Sequence, residues 1–267
     1  MARLFRIGLI GHGAIGTDLL ARIAAGTLGP VECAGVLVRR PRAGSDLPGL
    51  THDPERFFAA RYDAVVEGAG HQAVRDHGER ALHAGADLLV TSVGALTDDA
   101  LFARLTRAAE ESGRRLILPS AGIGALDILA AAAVGGLDRV TVTVRKDPSA
   151  WKGTIAETLV DLDALRAPAT VYDGPVREGA KAYPQNVNIS AAAAIAGIGL
   201  DRTRLVIVAD PTITRHVVEI EAEGTFGRLS FREEIVPTAD NPKTGVLVAM
   251  AIAKTVRQMA SPLVVGA

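Results

Sequence analysis

Cysteine is nearly absent from this 267-residue chain, and the single Cys33 excludes both an intramolecular disulfide framework and any metal site built on clustered thiolates. An excess of charge of one sign is missing too. Against 29 lysines and arginines stand 30 aspartates and glutamates, giving a formal net charge of −1 and no basic footprint for nucleic acid or an anionic membrane. Hydrophobic residues make up 48% of the chain, yet no uninterrupted apolar run approaches the roughly 20 residues that cross a bilayer. The apolar stretch 4–10 is broken by Arg6 and followed by no cleavage-site pattern, so it does not read as a secretory signal. No His/Asp/Glu spacing suits a metal, and no G-x-S-x-G nucleophile motif, internal repeat or low-complexity tract occurs. These exclusions leave a soluble, cytoplasmic, globular protein, long enough for one large domain or two modest ones.

The first half alternates apolar runs with amphipathic ones. Strands are expected over 5–10, 31–38, 64–67, 87–93 and 116–118, with helices over 17–25, 73–84 and 98–112 between them. That alternation implies βαβ units and a parallel sheet covered on both faces. The second half mixes β-branched, period-2 strands (140–144, 204–208, 215–223, 227–235) with helices over 123–134, 154–165, 174–182 and 187–196. The chain therefore reads as α/β: a Rossmann-type domain over 1–119, a second α+β domain over 120–239, and a last segment, 240–267, whose helix over 244–259 returns to the first domain.

Gly11-His12-Gly13-Ala14-Ile15-Gly16 fits G-x-G-x-x-G, and it follows an expected strand and opens an expected helix. In that context Gly11 allows a tight turn, Gly13 lets the backbone approach a pyrophosphate, and Gly16 permits close helix–strand packing. The backbone of Ala14 and Ile15, at the positive helix end, completes a cradle for phosphates. Where an acid would bind the 2′-hydroxyl of NAD, this chain has Arg39-Arg40, which favour the 2′-phosphate of NADP, or dual use. Gly70 and His71 follow the strand over 64–67 at the edge where such sheets bind ligands.

These stretches, taken together, resemble the L-aspartate dehydrogenase family. The more specific ones are Val65-Val66-Glu67-Gly68-Ala69-Gly70-His71, Ser92-Val93-Gly94-Ala95-Leu96, Leu118-Pro119-Ser120-Ala121-Gly122-Ile123, Tyr183-Pro184-Gln185-Asn186-Val187-Asn188, Ala196-Gly197-Ile198-Gly199-Leu200-Asp201 and Asn241-Pro242-Lys243-Thr244. The resemblance implies NAD(P)-dependent, reversible oxidation of a small amino acid to its imino or oxo acid, by a homodimer. It also implies cofactor contacts at Gly122, where the family usually has alanine, and at Asn188, near the nicotinamide. Asn188 is equally suited to cap the alanine-rich helix that follows it.

One departure bears on the chemistry. The family's catalytic histidine falls in a pattern like Arg-Asn-x-His-Glu-Ile-Glu, whereas this chain reads Arg215-His216-Val217-Val218-Glu219-Ile220-Glu221. Valine stands at the histidine position, and His216 stands two residues earlier. On a strand, His216 and Val218 share a face, with the histidine displaced by about 6.6 Å. His216 and Lys243 are the expected catalytic residues, with Lys152 a further cation that suits a substrate carboxylate. The alternatives are an imine or carbonyl reductase acting on a different substrate, and an NAD(P)-binding protein without hydride chemistry.

Overall fold

Short apolar strands separated by helices account for the first half. The strands are β1 (Phe5–Ile10), β2 (Val31–Leu37), β3 (Leu50–Thr51), β4 (Ala64–Glu67), β5 (Asp87–Val90) and β6 (Leu116–Ile117), and the helices are α1 (Ala14–Ala24), α2 (Pro54–Phe58), α3 (His71–His83) and α4 (Asp99–Ser112). The computed structural model describes residues 3–40, 47, 49–120, 123–184, 187–238 and 245–266, and its contacts divide it into two units, Met1–Pro119 with Ala249–Ala267, and Ser120–Val248.

All strand pairs of the first unit are parallel, in the order β3-β2-β1-β4-β5-β6. Ile7, Leu9, Val65, Val66, Leu88 and Leu89 are fully buried, as strands covered on both faces require. The order reverses between β1 and β4, so the loops after these two strands open at the ligand-binding edge of such a sheet. Pairing of β5 stops at Val90 rather than at 93, and the chain turns through a short 3-10 helix, Val93–Thr97. Helix α2 is an addition to the expected elements, although Asp53 caps it (its Oδ1 accepts from the Glu55 N–H at 2.9 Å) and Pro54 follows at the first helical position.

The second unit contains α5 (Leu126–Gly135), β7 (Leu137–Lys146), α6 (Ala156–Leu159), β8 (Ala169–Pro175), α7 (Val176–Ala182), α8 (Asn188–Ala196), β9 (Arg204–Ala209), β10 (His216–Gly224) and β11 (Gly227–Ile235). Its sheet runs β11-β10-β7-β9-β8, with β7 and β9 parallel and every other pair antiparallel. Two expectations fail here. The helix over 154–165 shrinks to α6 because the Asp161 carboxylate takes the N–H groups of Asp163 and Ala164, a local turn that competes with helix. The start of the helix over 174–182 is instead the end of β8, which pairs with β9 and is tied to it by the Asp173–Arg204 ion pair at 2.6 Å.

Period-2 alternation gives this sheet two chemically different faces. Val140, Val142 and Val144 of β7 and Val218, Ile220 and Ala222 of β10 are buried, on the face over which α5 and α8 pack. The other face pairs Glu219 with Arg232, Glu221 with Arg228 and Ser230, and Glu223 with Arg139. Such exposed pairs are each worth about 0–1 kcal/mol; the apolar face supplies the cohesion. The final helix, α9, spans Leu247–Met259. No helix among the described residues is long and apolar enough to cross a membrane.

Ile220 is fully buried at the centre of the apolar face, between Val142 and Phe231. Ile220→Ala is expected to destabilise the second unit by about 2–5 kcal/mol. Urea unfolding followed by the fluorescence of Trp151, the only tryptophan and fully buried in the same unit, measures this directly.

Candidate active site

In the first unit, β1 leads into the glycine turn. Gly11 adopts φ +100°, and a Cβ there would lie 2.8 Å from Ala69 Cβ and 2.9 Å from the Gly68 carbonyl oxygen. A Cβ on Gly16 would meet the Gly11 carbonyl at 2.7 Å, so α1 reaches the turn only because both positions are glycine. Gly13 occupies the N-cap of α1. No side chain caps that end, no acid sits in the first turn, and a Cβ at Gly13 would meet nothing within 4 Å. An open, uncapped helix start next to backbone that can be closely approached fits a dinucleotide pyrophosphate, held by the N–H groups of Gly13, Ala14, Ile15 and Gly16.

The adjoining loop, Gly68-Ala69-Gly70, is organised by Glu67. This carboxylate is 1% exposed at the end of β4, and its Oε1 accepts from the N–H groups of Ala69 (2.7 Å) and Gly70 (2.8 Å) and from Ser92 Oγ (3.0 Å). Oε2 accepts from the Ser92 N–H at 3.1 Å. One buried acid thus fixes the turns after two neighbouring strands. Gly70 then starts α3, again with no side-chain cap, and the half-buried His71 is its first residue. Arg39 and Arg40 follow β2 and are exposed at this same edge, where the Gly11 N–H donates to the Leu37 carbonyl at 2.8 Å. The structure therefore brings together Gly11, Gly13, Ala14, Ile15, Gly16, Gly70 and His71, with Arg39 and Arg40 two strands from β4.

In the second unit, His216 is the first residue of β10 and 5% exposed, on the face it was expected to share with Val218, Ile220 and Ala222. Val217 pairs with Arg145, so Lys146 and His216 end β7 and β10 as neighbours. Lys146 is 3% exposed, with its ammonium 5.4 Å from the centre of the Trp151 ring. Asn188 is half-buried as the first residue of α8; Val187 holds the cap position and no side chain caps the helix, so the capping role expected of Asn188 is not observed. Lys152 lies on the surface in a 2.6 Å ion pair with Asp163, whose hydrogen bond raises the lysine's pKa. Gly122 and Lys243 fall outside the described residues.

Sequence reasoning overlooked Glu233 on β11. It pairs directly with Val218, and its neighbours in phase, Phe231 and Ile235, are apolar. Burial pushes its carboxyl up to about 7, partly offset by the Gly124 N–H that it accepts. The period-2 pattern Leu229, Phe231, Glu233, Ile235 carries the signal, hidden by the adjacent Glu234.

Two family models match the chain: "Homoserine dehydrogenase, NAD binding domain" over residues 11–119, and "Aspartate dehydrogenase, C-terminal" over residues 127–259. The L-aspartate dehydrogenase of Ruegeria pomeroyi is 43% identical over 256 residues, covering 95% of this chain and 92% of that protein. That of Methanococcoides burtonii is 37% identical, covering 98% and 100%. The crystal structure of aspartate dehydrogenase from Thermotoga maritima shares the fold, with a TM-score of 0.75 at 22% identity over 98% of this chain and 99% of that one.

Replacing Glu67 by leucine strips acceptors from three backbone donors, of which those of half-buried Gly70 and buried Ser92 each cost about 1–3 kcal/mol when left unpaired. Glu67→Leu is expected to lower stability by about 2–4 kcal/mol and to weaken NADH or NADPH binding by about tenfold or more, with Glu67→Gln intermediate. Thermal unfolding and cofactor fluorescence titration read the two effects separately.

Proposed function

The chain belongs to the L-aspartate dehydrogenase family, and from that premise we propose that it interconverts L-aspartate and oxaloacetate plus ammonia with NADP or NAD. It is an NAD(P)-dependent oxidoreductase acting on an amino acid. The observation that carries the reading is the kinship along nearly the whole chain, joined to a glycine turn whose open, uncapped helix start suits a pyrophosphate.

The division of labour follows the two units. Residues 1–119, with the last helix, form the dinucleotide-binding domain. There Gly11, Gly13, Ala14, Ile15 and Gly16 hold the pyrophosphate, and Arg39 and Arg40 meet the adenosine ribose, favouring its 2′-phosphate. Gly70 and His71 line the same edge, and Gly122 and Asn188 contact the nicotinamide end. A nicotinamide bound there would supply the acceptor for a hydride from the amino acid's α-carbon. Residues 120–239 handle the substrate: His216 and Lys146 set cationic or hydrogen-bonding groups on one buried face, and Lys243 adds a further cation suited to a carboxylate. Oxidation also requires that the substrate ammonium lose a proton before the hydride leaves, and Val218, at the family's histidine position, cannot take it.

Kinship also supports a cytoplasmic homodimer, and light scattering is expected to give twice the 27.7 kDa chain mass. The activity is tested with purified protein supplied with oxaloacetate and ammonia, beside other 2-oxo acids, with NADPH and with NADH. Turnover of oxaloacetate is expected. Arg39→Ala with Arg40→Ala is expected to raise KM for NADPH about tenfold while changing that for NADH little, since a charge-assisted arginine–phosphate hydrogen bond is worth roughly 1 kcal/mol or more. Cofactor binding without oxaloacetate turnover would sink the aspartate assignment.

A further inference from the structure

The proton that must leave the substrate ammonium needs an acceptor, and the second unit holds one opposite the valine. Val218 of β10 pairs with Glu233 of β11 in an antiparallel register that runs unbroken from His216↔Ile235 to Gly224↔Gly227. Directly opposed residues project to the same side, with Cβ atoms about 4.5–5.5 Å apart. Glu233 therefore brings a carboxyl to the place where Val218 has only methyl groups. The loop before α5 closes over it: the Gly124 N–H donates to the carboxylate, and a Cβ on Gly124 would collide with the Phe231 ring. The residue as a whole is half-buried, yet its Oε1 is shut off from solvent and accepts no hydrogen bond from the described residues. A buried acceptor left unpaired is costly, a penalty that a bound N–H donor would relieve.

We propose that Glu233 is the catalytic acid–base of this chain, its Oε1 exchanging a proton with the substrate's α-nitrogen. The proposal rests on the dehydrogenase reading above. In the oxidative direction the carboxylate takes one proton from the ammonium; the freed amine's α-carbon then gives its hydride to the oxidised dinucleotide, leaving an iminium. Water adds to the iminium carbon and ammonium departs to give the oxo acid, and the proton on Glu233 passes to the water that replaces the product. Reduction reverses each step. The group suits both directions because burial holds it near neutral pH, where acid and base forms are both populated.

Among the described residues the charged groups around it are few. From β10, His216 stands one diagonal step away, a distance of about 7–8 Å between Cα atoms in such sheets. From β7, Lys146 ends the strand beside His216, and from α5 the exposed Asp127 sits in the first turn. Arg232 and Glu234 pair with each other and Arg232 with Glu219, all on the opposite face.

The test compares wild type, Glu233→Gln, Glu233→Asp and His216→Ala over pH 6–9 in the oxidative direction, with NADPH affinity measured on each. Glu233→Gln is expected to lower kcat by about 10²–10⁴-fold, the usual contribution of a positioned acid–base, with NADPH affinity unchanged within about twofold. Wild-type kcat/KM should rise with pH through about 7 as the carboxylate fills, and that limb should vanish in the glutamine variant and survive, shifted, in the aspartate variant. Folding is checked by melting temperature. The folded pKa lies above the ordinary 4.5, so ionised Glu233 costs stability as pH rises between the two values, and glutamine should raise the melting temperature at pH 8 more than at pH 5. Full activity and an intact limb in Glu233→Gln, with collapse in His216→Ala, would overturn the proposal alone. A wild type that turns over no amino acid would overturn the dehydrogenase reading and the role of Glu233 with it.

Discussion

A buried carboxylate holds the cofactor side of this molecule in shape. Glu67 ends β4 at the point where the strand order reverses, and its two oxygens take four hydrogen bonds from the loop that follows β4 and from the turn after β5. Burying an acid is costly unless its hydrogen-bonding capacity is filled, and here it is filled by backbone N–H groups that would otherwise be orphaned. The consequence travels outward. With Ala69 and Gly68 fixed, Gly11 has a defined surface to pack against, and the start of α1 is aimed by that contact. The geometry of the glycine turn therefore depends on a residue that lies outside it.

The second unit uses a different constraint, the alternation of its strands. Each strand through the centre of the sheet assigns its even residues to the helices and its odd residues to an ion-paired surface, or the reverse. A polar residue that appears in the apolar phase must then be accommodated by special contacts or by ligand. Lys146 has the face of Trp151, and Glu233 has the Gly124 N–H for one oxygen. Those two and His216 sit toward the same end of the face. The opposite end is closed by backbone, where a Cβ on Gly224 would strike the Gly136 carbonyl. Helix α8 runs the same way, since its C-terminal Gly197 lies against Val140, far along β7 from Lys146. The N-terminal ends of α5 and α8 thus face the polar end of the sheet, where their partial positive charge favours an anionic ligand.

The first unit was legible because its signals are local and redundant. A strand, three glycines at fixed spacing and a helix name one structure, and β1, β4 and α4 fall within a residue of their expected bounds. The second unit was legible in its central strands and obscure at its margins. Residues 154–165 have helical periodicity, but the side chain of Asp161 captures the backbone first. Residues 169–173 carried no expected element and 174–175 were expected to begin a helix, and only pairing with β9 makes 169–175 a strand. The site shows the same split. His216 stood out as a histidine among valines, whereas Glu233 and Lys146 each lie beside another charged residue, so their phase is visible only once the neighbouring strands fix it.

Burial changes what a carboxyl is. An exposed glutamate is fully ionised at neutral pH and makes a poor acid; held against Phe231, Ile235 and Val218, the same group titrates near 7, in the range of an imidazole. A strand pair can therefore carry its proton-transfer group on either member, because directly opposed positions serve the same volume. On the role proposed for Glu233, valine at 218 is no loss of function in itself. It supplies the low-dielectric wall that keeps the opposing acid protonatable, and a polar residue in its place would solvate Glu233 and return it toward its ordinary range. The apolar residue and the acid form one device, and neither has its function without the other.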